Sequence, residues 1–235
     1  EALAGPFMVV TEIISVPTGV VFLSALGTIF LGRLRLTTPM LFALGFVSTF
    51  VIGGITGIFL ADVPTDIQLT QTYFVVAHFH YTIMGGTIFA LLASIYHWFP
   101  KITGRMFDER LGRIQFWSFY VAFNATYLPL FWAGMHGMRR RVAEVPPQTE
   151  SVNIIATISS YLLALSVLLF LVNIVRSWVR GPGAEANPWQ AHTLEWQVAS
   201  PPPLENFRVP PVVVGDPYPY GVPGGRHVAA PETAS

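Results

Sequence analysis

The stretch VVAHFHYTIMGG, residues 75–86, places two histidines, His78 and His80, one residue apart inside an almost unbroken apolar run. A run of this length and character reads as a helix. Each helical residue turns about 100° around the axis, so side chains two apart point ~200° away from one another. The two imidazoles therefore cannot easily hold the same ion. Each answers to whatever lies on its own side of the rod.

The surrounding chain says what kind of rod it is. Of 235 residues, 52% are hydrophobic and 11% charged, with a mean hydropathy of +0.54, whereas a water-soluble domain carries about 25% charged residues. Five segments, residues 7–32, 39–61, 72–99, 112–136 and 152–178, reach the roughly 20 apolar residues that a membrane span requires. None shows the single polar face of a soluble helix. The reading is all-α, a polytopic transmembrane helical bundle. Zero net charge offers no field for nucleic acid. The lack of cysteine removes disulfides, thiolate metal sites and cysteine nucleophiles. The opening EALAGPF has neither an initiating methionine nor a signal-peptide pattern, and reads as a fragment or half of a split polypeptide.

Lys and Arg in the loops orient the bundle. Arg33 and Arg35 follow the first segment, Lys101, Arg105, Arg110 and Arg113 the third, and Arg176 and Arg180 the fifth. That side is the inner one. The loop ADVPTDIQLTQ after the second segment has no Lys or Arg, as an outer loop should. Arg139, Arg140 and Arg141 break the rule on the outer side. A solvated loop would account for them, but so would an anion site, because arginine makes bidentate bonds to carboxylate and phosphate. Residues 1–180 form the membrane part. From residue 181 the density of Pro and Gly excludes long helices, leaving residues 181–235 as a non-spanning inner tail, ordered where Trp189, Trp196 and Phe207 find a surface. Gly53, Gly54, Gly57, Gly85 and Gly86 read as sites of close helix packing.

An ionisable side chain within a span is a functional hypothesis by default. The plain alternative is a neutral histidine bonded to a neighbouring carbonyl. No second histidine stands at helical spacing from either, and no H-E-x-x-H pattern occurs, so the spans carry no all-protein metal cage. One imidazole per site suits a haem, which brings four nitrogens and needs only axial ligands. Its propionates would be the anion the arginines await. His97 beside Trp98 reads as an interfacial anchor. His136 borders the arginine loop, His192 and His227 are solvated in the tail, and Asn124 and Thr126 are mid-span groups bonded across helices.

At this point VPTGV (16–20), ALGFVSTFVIGGITGIFLA (43–61), TYFVVAHFHY (72–81), HWFPKITG (97–104) and GMRRRV (137–142) together resemble the C-terminal part of subunit I of the haem–copper oxidase superfamily. The tail NPWQAHTLEWQVASPPPLENF is similar to the bacterial form. The resemblance implies that His78 is the proximal ligand of a high-spin haem where oxygen is reduced, and so a catalytic residue. It implies that His80 is an axial ligand of a low-spin haem, that Phe79 lies between the two, and that Arg140 and Arg141 bind propionates. It also implies a twelve-helix fold of which this chain holds the last five. The copper ligands, the tyrosine linked to one of them and the second low-spin haem ligand then lie outside the chain, which by itself does not turn over. Thr70 and Gln71 depart from the usual His-Asp pair that helps hold magnesium, and Val21 from the usual lysine of a proton route.

The implied function is a respiratory terminal oxidase that reduces oxygen to water with electrons from cytochrome c or quinol and couples this to proton translocation. A nitric-oxide reductase branch of the same superfamily, motivated by Val21, Thr70 and Gln71, and a non-catalytic membrane haem protein are the alternatives. Implied partners are the N-terminal part of subunit I, subunits II and III, the electron donor and the lipid bilayer, with no nucleic acid. The implied location is the bacterial cytoplasmic membrane.

Overall fold

A computed structural model describes residues 3–32, 34–219 and 227–228; Arg33 lies outside them. The described residues are helical, with three isolated backbone bridges. Two short helices, α1 (Ala4–Ile13) and α2 (Ser15–Ile29), run on as one apolar stretch interrupted at Ile14. Then come α3 (Thr38–Ala61), a short α4 (Val63–Leu69), α5 (Tyr73–Phe79), a π-helical segment π1 (His80–Ile88) and α6 (Phe89–Thr103). The last two are α7 (Glu109–Met135) and α8 (Glu150–Arg180).

Four stretches are long and apolar enough to cross a membrane: Ala4–Ile29, Thr38–Ala61, Tyr73–Thr103 and Pro147–Arg180. The segment read as a fourth span, residues 112–136, folds as the 27-residue α7. It has the length for a crossing but not the uniform apolarity, because its polar side chains serve the interior. Gln115 and Thr126 are buried on it, and Glu109 Oε1 accepts the Thr38 backbone N–H at 2.8 Å. That bond supplies a partner for an amide at the first turn of α3, where helices leave four donors unmet.

The described chain forms two compact units. In the first, residues 1–94 and 109–171, α3 packs on π1 and α5 on α7. Phe42, Phe89, Phe116, Phe119 and Phe123 interlock there, with tilted or edge-to-face rings such as Phe42–Phe116 at 5.0 Å and Phe89–Phe123 at 5.4 Å, the geometry that aromatic quadrupoles favour. Glycine sets the tightest crossing. A Cβ on Gly134 would collide with the backbone of Phe74, so α7 and α5 touch main chain to side-chain-free main chain.

In the second unit, residues 95–108 and 172–235, the tail folds onto the end of α6. His97 stacks on Trp189 at 5.6 Å and Trp98 on Trp196 at 5.4 Å. Trp196 is 2% exposed, and the Trp189 indole donates to the His97 carbonyl at 3.0 Å. Lys101 Nζ donates to the carbonyls of Ala186, Val198 and Ala199 and lies 5.0 Å from the Trp196 ring centre. Trp189 and Trp196 thus find the surface expected of them, formed by His97 and Trp98.

Candidate cofactor-binding site

The two histidines straddle a change of helix type. The α-helix ends at Phe79 and π1 begins at His80, whereas the sequence reads as one regular helix. The physical reason lies in the residues. Gly85 and Gly86 are poor α-formers, and Thr49 Oγ1 of α3, 2.8 Å from the Gly45 carbonyl of its own helix, also lies 3.1 Å from the Gly85 carbonyl, a polar partner outside the helix ladder. π-helical turns of this kind are rare and cluster at functional sites.

His78 turns toward α3. Its Nδ1 lies 3.1 Å from the Gly53 carbonyl and 3.1 Å from the Thr56 hydroxyl. A carbonyl only accepts, so Nδ1 carries the proton and Nε2 keeps its lone pair. A Cβ on Gly57 would approach His78 Cε1 to 3.1 Å, so that glycine makes room for the ring. His80 turns to α7 instead. Its Nδ1 donates to the Val76 carbonyl at 2.7 Å, and its ring stacks on Tyr127 at 4.1 Å and 16°. Phe79 lies 4.4 Å away at 30°. Two rings this near and this parallel cannot share one face without overlapping, so they close on the imidazole from both sides and leave its Nε2 edge. Beyond them, the Tyr81 hydroxyl donates to Asn124 Oδ1 at 2.7 Å and the Tyr127 hydroxyl meets the Met84 sulfur at 3.6 Å.

The arginine segment is tied to the start of the same helix. Gly137, at φ 83°, ends α7 in a left-handed turn closed by Met138 N–H to the Ala133 carbonyl at 3.0 Å and Gly137 N–H to Gly134 at 3.1 Å, a Schellman pattern. The chain then runs antiparallel to residues 71–73. Tyr73 N–H donates to the Met138 carbonyl at 2.9 Å, Arg140 N–H to the Gln71 carbonyl at 3.0 Å, and Thr72 pairs with Arg139. Arg140 is half-buried and its Nε is buried without a hydrogen-bond partner. Arg141 is exposed and adopts φ 64°, a conformation that costs a side chain about 1–2 kcal/mol.

These features fit a flat group with its own metal donors and carboxylates. Among the described residues no three of His, Cys, Asp and Glu converge, so each imidazole would supply a single ligand. The orphaned Arg140 Nε is a donor awaiting an acceptor, since buried polar groups are otherwise satisfied.

Several expectations meet the structure differently. Gly53, Gly57, Gly85 and Gly86 do pack closely, but Gly54 faces open space. Asn124 bonds across to Tyr81, whereas the Thr126 hydroxyl returns to the Ala122 carbonyl of its own helix. His136 bonds back to the Trp132 carbonyl and stacks on that ring at 3.9 Å. Gln71 contributes its carbonyl to the arginine segment. Thr70 bonds Asp66, whose carboxyl is pushed up by burial and pulled back by that bond. The roles of Gly53, Thr56 and Tyr127 escaped the sequence reading. Their only signal is spacing relative to residues on another helix, which one sequence does not reveal.

Fold and site together define a polytopic helical membrane protein built around paired intramembrane histidines. Residues 1–162 match the family described as Cytochrome C and Quinol oxidase polypeptide I. The chain belongs to that family. Cytochrome c oxidase subunit 1 of Thermostichus vulcanus is 50% identical over 216 residues, covering 92% of this chain and 39% of the relative. The protein of that name from Synechocystis is 47% identical over the same shares. That from Bacillus sp. (strain PS3) is 44% identical over 89% of this chain and 34% of its own. The chain thus spans about two fifths of the length of these relatives. A solved structure described as a heme-copper terminal oxidase dimer superposes with a TM-score of 0.56 at 19% identity, covering 63% of this chain and 28% of that one. The likeness there is of fold.

Proposed function

We propose that this chain forms part of the catalytic subunit of a respiratory terminal oxidase, reducing oxygen to water with electrons from cytochrome c and coupling the reaction to proton translocation. One observation carries the reading: His78 and His80 each commit Nδ1 to a carbonyl, keep Nε2 available, and turn to different helices. A bound pair of haems would supply electron transfer and oxygen binding. His78 would hold the high-spin group and His80 the low-spin one.

The chain's own residues prepare that binding. The Gly53 and Val76 carbonyls fix the tautomer and ring plane of the two ligands, as outer partners of metal-bound histidines do. Tyr127 and Phe79 exclude water from the faces of His80. Arg140 and Arg141 would hold propionates, which suits the unpartnered Arg140 Nε. Copper and its ligands would belong to the remainder of subunit I. Subunits II and III, a cytochrome c or quinol donor and the bacterial cytoplasmic membrane complete the proposed setting.

The departures at Val21, Thr70 and Gln71 favour one second reading, nitric-oxide reduction. The test is the full complex in detergent, assayed for haem and for consumption of oxygen and of nitric oxide with reduced cytochrome c. Two haems per subunit and oxygen uptake are expected. Nitric-oxide uptake without oxygen uptake would transfer the chain to the second reading, and a haem-free complex would overturn both.

A further inference from the structure

The first membrane stretch, Ala4–Ile29, contains one ionisable side chain, Glu12. A charge within a span is costly, and such residues face the bundle interior rather than lipid when they serve a function. Glu12 does so. No residue of α1 or α2 is fully buried, but the half-buried ones are Ala4, Met8, Thr11, Glu12, Ser15, Gly19, Phe22, Ala25 and Ile29. That spacing of three and four marks the single stripe that meets the protein.

The neighbours on that stripe are chemically apt. Ser15 follows Glu12 by one helical turn on the same stripe, whereas the Thr11 hydroxyl returns to the Phe7 carbonyl at 2.8 Å. Pro17 has no N–H for the Ile13 carbonyl one turn earlier, and the helix breaks at Ile14. A carboxylate and a hydroxyl therefore stand one turn apart, next in the chain to a carbonyl that Pro17 cannot satisfy. Because α1 packs on α3 and α4 while α2 packs on α3, the stretch runs antiparallel to α3. Glu12 is eight residues from Ala4 and Gly53 eight from Ala61, so both lie about 12 Å from the same end at ~1.5 Å per residue. Gly53 is the residue whose carbonyl holds His78. Of the elements packed on α1, α3 has no titratable side chain and α4 has Asp66, with Asp62 at its cap. Among the described residues, nothing bonds or pairs with the Glu12 carboxylate.

We propose that Glu12 carries protons to the reaction beside His78, a role that rests on the oxidase function proposed above. A hydronium ion gives a proton to the carboxylate and becomes water, forming the neutral acid. The acid O–H then breaks as a hydroxide produced by oxygen reduction gains that proton and becomes water. The carboxylate is restored and no electron passes through it. Ser15 and the Ile13 carbonyl position the hydronium ion that refills it.

The test uses the full complex in vesicles, with Glu12→Gln and Glu12→Asp beside the unaltered protein. Glu12→Gln is expected to keep both haem spectra while turnover falls at least tenfold, and Glu12→Asp to recover part of it. The redox infrared difference spectrum of the unaltered complex should contain a carboxylic C=O band that shifts in D2O and is missing from Glu12→Gln. Unchanged turnover in Glu12→Gln, or lost turnover with that band still present, would overturn the role. If Glu12→Gln fails to assemble, a spectrum of the unaltered complex with no D2O-sensitive carboxylic band overturns it equally. A haem-free complex would instead overturn the function on which it rests.

Discussion

At the residue scale, the site depends on which nitrogen of each histidine is engaged. Nδ1 of His78 is 3.1 Å from Gly53 and Nδ1 of His80 is 2.7 Å from Val76. Under the proposed haem ligation, His80→Ala should abolish the low-spin absorption bands, and His78→Ala should chiefly remove carbon monoxide binding at the other iron. Losses confined to the same haem in both variants would refute the division. The unpartnered Arg140 Nε leads to a second expectation. Arg140→Leu would leave a propionate uncompensated, and the added negative charge favours oxidised iron. Midpoint potentials should fall by on the order of 60 mV, the one-electron equivalent of a tenfold shift in the redox ratio. Spectroelectrochemistry with unchanged potentials and intact haem content would return the arginines to a solvated loop.

At the element scale, the close approach of α5 and α7 is decided by an absent side chain. Gly134→Ala would drive a methyl into the Phe74 backbone, and overpacking of this kind costs about 1–3 kcal/mol. The altered complex should unfold at a lower temperature and lose the His80-linked spectrum first, since His80 directly follows α5 and stacks on Tyr127 of α7. Equal melting curves and spectra would show that the crossing has slack. The helices themselves were legible in the sequence because lipid demands long apolar runs, and the HFH spacing announced two directions. The π turn was not legible. It coincides with the approach of Thr49 Oγ1 to the Gly85 carbonyl, a pairing between residues far apart in the chain that leaves no local periodicity. Likewise Arg140 announced itself through its charge, while the Gln71 carbonyl that holds its backbone looks like any other peptide group.

At the scale of the molecule, each unit has its own means of cohesion. The first relies on ring packing among α3, the start of α6 and α7, the second on the clasp of Trp189 and Trp196 about the end of α6. Trp196→Ala would remove a fully buried ring, at about 3–5 kcal/mol, and leave Lys101 without its aromatic cover. The tail should become cleavable by added protease after residue 181 while haem spectra persist. A tail as resistant as the unaltered one would show that Lys101 and its three carbonyl partners suffice.

The short antiparallel stitch between residues 71–73 and 138–140 has a consequence for how the protein is made. Its two halves flank α5, π1, α6 and α7 in the chain, so they can meet only after the ribosome has delivered all of those helices to the bilayer. Until then Arg140 has no fixed address, and the histidine helix stands in lipid without its row of positive charge. The stitch is thus a late clasp in biogenesis, closing only when the second of its two strands emerges.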